Sequence, residues 1–188
     1  LATCIMSSVG VLGFGLQAHA DDAVHIGSIL SVTGPAAFLG EDMKAGMEMA
    51  IDDINSSGGI DGKKVKWTFY DAESQTAKAI NETKRLLSQD KVDIVVGGGN
   101  MSGIAMAMAP MTERAGMPFI STEGSMQIVN PVKERQHTFK STVDDDQVIG
   151  RVLDYFSKKG IKKVALLADS SGFGQSAVEQ TKKLAAKR

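Results

Sequence analysis

Cysteine occurs once in the 188 residues, at Cys4. From Asp21 onward there is therefore no internal disulfide, no thiol nucleophile and no thiolate metal site. Aromatic residues make up 5% of the chain, too few for a stacking platform that would grip bases. Neither sign of charge dominates, with 21 basic residues against 22 acidic, so nothing calls for nucleic acid or an anionic membrane as partner. Three histidines stand at His19, His25 and His137, without partners at metal-ligand or catalytic spacing; His137 reads as an exposed loop residue. There is no G-x-S-x-G turn. What remains is a chain that is 43% hydrophobic, enough for one ordinary domain core or one and part of another.

The first apolar stretch, "CIMSSVGVLGFGLQAHA", carries no charge and is too short and glycine-rich for a membrane span. It ends in Ala18-His19-Ala20, the pattern of an h-region and cleavage site, which makes 1–20 a signal peptide lacking its basic n-region. The mature chain then begins near Asp21, outside the cytoplasm. Cys4 precedes the apolar stretch, the reverse of the order in a lipidation signal. Leu1 at the start and the helical "KKLAAKR" at the end read as a fragment at both ends.

Strand and helix patterns alternate from there. "VHIGSILS" (24–31) is a strand. In the helix that follows, Met43, Met47, Ala50, Ile51 and Ile54 form a stripe at helical spacing, read as a core face and not a soft-ligand site, and Gly58-Gly59 stop it. "KVKWTFYD" alternates Val65, Trp67 and Phe69 inward, which makes Trp67 a core residue. Residues 74–90 form a helix, "VDIVVGG" a central parallel strand, 102–116 a helix and "FIS" a short strand. This βαβαβαβ order implies an α/β fold, a doubly wound parallel sheet with helices on both faces. An irregular stretch, 122–143, separates it from a restart: a helix over 144–159, a strand in "KKVALLADSS" (162–171) and a helix in "GFGQSAVEQTKKLAAK". Consecutive Asp144, Asp145 and Asp146 cannot converge on one ion from a helix and suit its N-terminal dipole instead.

The chemistry turns on "GGGNMSG" (97–103). It lacks the lysine and following hydroxyl of a nucleoside-triphosphate loop. As a dinucleotide fingerprint it has one glycine a position late, and the acidic Glu123 falls beyond a further strand. A nucleotide-dependent α/β enzyme is thereby the weaker reading. What the turn retains is backbone N–H groups facing the crevice beyond the strand ends, at a helix start, where any anion is favoured. "STEGSM" repeats the arrangement with Ser121, Thr122 and Ser125, so two neighbouring strand ends could share one small acid. The alternative is plain helix capping by Ser102 and Ser125.

Thr33-Gly34-Pro35, Gly40, Gly46, Ala50, Ile54-Asn55 and "GGIDG" (58–62), then "VDIVVGG", "AGMPFIS" and "DSSGFGQS" in order, resemble the type I periplasmic solute-binding proteins of branched-chain amino acid and related ABC importers. The resemblance covers essentially the whole mature chain. It implies two α/β lobes joined by a hinge, closing on a ligand in the cleft: 21–121 in the first lobe, 122–142 as crossover, 143–188 as the start of a truncated second. It implies ligand contacts at Met101, Ser102, Glu123, Gly124 and Ser125, with Phe173, Leu39 and Phe38 as an apolar wall. Glu123 stands where amino-acid-binding members carry a small residue; there it would repel a carboxylate or accept an ammonium or amide. Leu39 and Phe173 lack the hydroxyl of tyrosine, which favours a branched or aromatic acid. The implied protein is a periplasmic monomer without cofactor that delivers a small molecule to an inner-membrane permease. An amide- or urea-binding member and a sensor module are the alternatives of the same fold.

Overall fold

The computed structural model describes residues 23–187; the signal-peptide reading, Cys4 and His19 lie outside them. Five strands form one sheet in the order β2-β1-β3-β4-β5, all parallel. They are β1 (Val24–Leu30), β2 (Val65–Asp71), β3 (Ile94–Val96), β4 (Phe119–Ser121) and β5 (Thr138–Lys140). The helices are α1 (Ala37–Ser56), α2 (Thr76–Arg85), α3 (Ser102–Ala115), α4 (Asp145–Lys158) and α5 (Gly172–Ala185). The α/β alternation expected through β4 is therefore present. The long register of β1 on β2, Val24 opposite Val65 through Leu30 opposite Asp71, makes this pair the backbone of the sheet.

The core lies where β1, β3 and β4 meet α2 and α3. Ile29, Leu86, Val95, Ile104, Met108 and Phe119 are almost wholly enclosed. Each such side chain contributes roughly 1.5–3 kcal/mol of transfer free energy. β3 is a continuous apolar run, Ile94–Val96, as a central parallel strand covered on its faces requires. Two expected core groups sit further out. The α1 stripe is half-buried at Met43, Met47, Ile51 and Ile54, while Ala50 is exposed. Trp67 is also half-buried; its indole N–H donates to Ser28 Oγ at 2.9 Å and its ring stacks on Phe69. β2 is an edge strand of this sheet, so its side chains are covered by fewer neighbours.

Three further differences from the sequence reading are physical. The irregular stretch contains β5, whose three residues carry too little alternation to signal a strand. It forms because β4 offers it a ladder: Phe119 N–H donates to His137 O and Ser141 N–H to Ser121 O. His137, expected in an exposed loop, is partly buried at the entry to that ladder. Residues 162–171, expected as a strand, form none; Val164, Leu166 and Leu167 are exposed, Leu167 at 98%. An apolar run supplies the side-chain half of a strand, but backbone groups need a neighbouring strand as well, and among the described residues none lies alongside.

Loop anchoring at the strand ends is done by carboxylates. Asp71, closing β2, accepts from Val32 N–H, Glu73 N–H and Thr33 Oγ. Burial pushes its pKa up, but the Thr33 hydroxyl and the surrounding backbone N–H groups outweigh that and hold it below the ordinary value. Glu113, at the end of α3, does the same for β5. It accepts from Gln136 N–H, His137 N–H and Thr138 Oγ. Again burial raises its pKa and the Thr138 hydroxyl with the two N–H groups brings it below the usual range.

Candidate functional site

α1 and α3 begin just beyond the carboxyl ends of β1 and β3, a 3-10 turn follows β4, and a cavity of about 490 Å³ opens there. Crevices at these strand ends are where open α/β sheets hold their ligands. The turn after β1 and the start of α1 contribute Pro35, Phe38, Leu39 and Met43. The turn after β3 contributes Asn100, Met101 and Ser102, and the turn after β4 contributes Thr122, Glu123 and Gly124. Asp169, Ser171 and Phe173 close it from the beginning of α5.

The structure thus brings Phe38, Leu39, Met101, Ser102, Glu123, Gly124 and Phe173 to one cavity. Phe38, Leu39 and Phe173 are substantially exposed, Phe38 the most at 68%, and form an apolar wall. Phe173 packs on Gly124, where an added Cβ would stand 2.9 Å from its ring. Ser125 is not among the lining residues. It is fully enclosed, donates to Ser176 Oγ at 2.8 Å and accepts from Gln127 N–H. The capping role considered for Ser125 is the one its hydroxyl performs, on the 3-10 turn Met126–Ile128. Ser102 does not cap α3; it is the first residue of that helix, and its Oγ accepts from Ser125 N–H.

The glycine turn differs from its expected role. Gly97 N–H donates to Ile120 O, Gly99 N–H to Ile29 O, and Gly98 N–H to Glu123 Oε1 at 3.0 Å. All three glycine amides are used inside the protein. Positive φ at Gly97 and Gly99, with Asn100 also left-handed, turns the chain sharply enough to aim Gly98 N–H at that carboxylate. Asn100 fastens the turn to β1 by accepting from Ser31 N–H at 2.8 Å. Glu123 itself is only 6% exposed. Besides Gly98, it accepts from Thr122 N–H, Thr122 Oγ and Ser121 Oγ. Its charge is answered from within, so neither repulsion of a ligand carboxylate nor free capture of an ammonium follows directly.

At the start of α3 the situation is the opposite. The N–H groups of Ser102 and Gly103 have no acceptor among the described residues, nor does that of Gly124. Helix α5 begins against the same point: Gly172 lies so close to Gly103 that an added Cβ would sit 2.8 Å from Gly103 Cα. Two helix N-termini, both electropositive ends, therefore meet at the cavity. The loop bearing Glu123 and Gly124 is held from behind by Lys140. Its ammonium donates to Gly124 O at 2.9 Å, Ser125 O at 3.1 Å and Asp144 Oδ1 at 2.5 Å. Asp145 holds the loop too, donating its N–H to Gly124 O and accepting from Met126 N–H. Asp144 and Asp145 Oδ1 thus have separate partners, whereas Asp145 Oδ2 and Asp146 Oδ1 are buried without one, and among the described residues no three His, Cys, Asp or Glu side chains cluster as a metal site.

Thr122, one of the hydroxyls noted in "STEGSM", lines the cavity, and so do Asn100, Met43, Asp169 and Ser171, which the sequence did not single out as ligand contacts. Position was the available signal: Asn100 and Thr122 follow strand ends, Met43 lies within two turns of the start of α1, and Asp169 and Ser171 immediately precede α5. Asp169 accepts from Ser171 N–H and Oγ, and the Ser171 hydroxyl holds its carboxyl below the usual range.

Residues 23–188 match the model of a family described as periplasmic binding protein. The chain is 33% identical over 180 residues to the Leu/Ile/Val-binding protein homolog 1 of Brucella abortus, covering 92% of this chain and 46% of that one. The match to Leu/Ile/Val-binding protein homolog 7 of Brucella melitensis is 34% over 114 residues, 61% and 28% of the two chains. Among solved structures, an ABC-transporter solute-binding protein from Rhodopseudomonas palustris in complex with 3,4-dihydroxybenzoic acid superposes with a TM-score of 0.75 at 25% identity, over 88% of this chain and 45% of the other. The branched-chain amino acid binding protein LivJ of Streptococcus pneumoniae, in complex with isoleucine, gives 0.73 at 29%, over 86% and 46%. The chain spans about half the length of these relatives. With its parallel α/β sheet, strand-end cavity and a family match running from Ala23 to its last residue, the chain belongs to the periplasmic binding protein family.

Proposed function

We propose that this chain is the ligand-capturing part of a periplasmic receptor for an ABC importer, and that its ligand is a small carboxylate with a branched or aromatic apolar body. The observation that carries this reading is the juxtaposition of unaccepted N–H groups at Ser102 and Gly124 with the apolar wall of Phe38, Leu39 and Phe173. A carboxylate suits a helix start, and the hydrocarbon part gains by leaving water. Isoleucine and 3,4-dihydroxybenzoate, the ligands of two similar proteins, both have this division. No lysine or arginine lines the cavity, whereas Asp169 does. That favours a zwitterionic amino acid, its ammonium toward Asp169, over a plain acid.

Mechanism needs no bond-making. Residues 21–121 form the first lobe, 122–142 the crossover and 143–188 the start of a second lobe, and ligand touching both sides stabilises the closed arrangement. A monomeric receptor in that state is what an inner-membrane permease would recognise. An amide or urea receptor, or a sensor that signals occupancy, would share this geometry with a different ligand or partner.

Calorimetric titration of the complete protein with leucine, isoleucine, valine, 3,4-dihydroxybenzoate, acetamide and urea tests the reading. Phe173→Ala should weaken the best ligand about tenfold, equal to about 1.4 kcal/mol, with the fold intact. Unchanged affinity would remove Phe173, and with it the cavity, from the binding site.

A further inference from the structure

We propose that Glu123 acts as a built-in anion: its carboxylate occupies the acceptor position of the glycine turn, closes that turn to ligands, and so fixes where a ligand's carboxylate is received. Four donors converge on it from two different loops. Oε1 accepts from Gly98 N–H at 3.0 Å and Thr122 Oγ at 3.1 Å; Oε2 accepts from Thr122 N–H at 3.0 Å and from Ser121 Oγ. A carboxylate satisfied by several such bonds is in the environment that protein anion sites provide for bound anions. The fit is close. A Cβ added at Gly98 would stand 2.5 Å from Glu123 Oε2 and 2.6 Å from Ala105 Cβ, so turn and carboxylate are shaped to each other. The side chain is 6% exposed yet borders the ligand cavity.

Two consequences follow. Glu123 ties the turn after β3 to the turn after β4, which makes it a positioning residue for the cavity floor. It also withdraws Gly98 N–H, Thr122 N–H and two hydroxyls from the ligand, while the Ser102 and Gly124 amides bordering the cavity have no acceptor among the described residues. The second consequence rests on the ligand reading proposed above; the first does not. Removing the side chain beyond Cβ leaves a space the size of a formate or acetate, lined by the same four donors.

The test is chemical rescue in the complete protein. Glu123→Ala should lower the melting temperature by several degrees. Sodium formate or acetate, titrated against sodium chloride at equal ionic strength, should restore at least half of that loss along a saturable curve. The wild type should respond to formate no more than to chloride. Glu123→Gln, which still fills the space but sets an amide N–H₂ against donors, should be destabilised and show no rescue. Glu123→Ser, too short to reach Gly98, replaces the alanine variant if that one does not fold. An alanine or serine variant that melts with the wild type, or that responds equally to formate and chloride, overturns the proposal. Formate rescue in a protein that binds neither isoleucine nor 3,4-dihydroxybenzoate would sink the ligand reading and leave the built-in anion standing.

Discussion

β5 and residues 162–171 are opposite experiments in strand formation. The first has almost no pattern, three residues in which only Thr138 is buried, yet it pairs along its length with β4. The second has the apolar, β-branched composition of a central strand and pairs with nothing among the described residues. The difference is the neighbour. β5 enters beside β4 and has Glu113 to receive the N–H groups of Gln136 and His137. A strand is therefore a property of two segments, and composition alone selects only one of them.

The comparison breaks first at the sheet that has neighbours. Val95→Asp buries an unpaired charge between β1 and β4 and should cost more than about 3 kcal/mol, read from the urea midpoint of the 188-residue chain. Glu113→Ala should cost about 1–2 kcal/mol by leaving the N–H groups ahead of β5 without acceptors, with amide exchange at 136–138 rising more than at 94–96. Its pH behaviour has a definite sign. Glu113 and Asp71 have folded-state pKa values lowered from ordinary values of 4.5 and 3.8. Their contribution is complete above those values and lost as pH falls through the lower folded ones. Glu113→Gln should flatten the stability decline that begins below about pH 4.5, and an unaltered acid profile would show that this carboxylate does not hold β5. The smallest effect is expected at Leu167→Asp, within about 0.5 kcal/mol in the 188-residue chain. The same substitution in the complete protein should approach the cost of Val95→Asp if 143–188 begins a second lobe whose further strands cover it; an equally small cost there would count against that lobe.

Much of the fold was legible because its signals are local. The apolar run at 92–96 and the glycines that end α1 and α3 each mark an element without reference to another. The cavity was legible by position, since the residues that follow β1, β3 and β4 must face the strand ends. What was not legible depends on partners distant in sequence. Nothing in "STEGSM" announces that Glu123 turns back onto Gly98, 25 residues earlier, or that Ser125 is engaged by Ser176, 51 residues later. The glycine turn was expected to offer its amides to a ligand's anion, but Gly97 and Gly99 N–H donate to Ile120 O and Ile29 O and Gly98 N–H to Glu123. Likewise Asp144, Asp145 and Asp146 look alike in sequence, and only the arrival of Lys140 at Asp144 and of Met126 N–H at Asp145 sets those two apart from Asp146.

The contact between Gly172 and Gly103 is unequal in a way that bears on redesign. At Gly103 an added methyl would find its nearest neighbours at 3.7 and 3.9 Å, ordinary clearance; at Gly172 it would strike Met106 Cε at 2.6 Å and the Gly103 backbone at 2.8 and 2.9 Å. The junction therefore has a tolerant side and an intolerant one. Alanine at 103 narrows the gap without moving either helix, whereas alanine at 172 acts as a wedge, prising α5 and its Phe173 away from α3 and resizing the entrance by a fraction of an ångström.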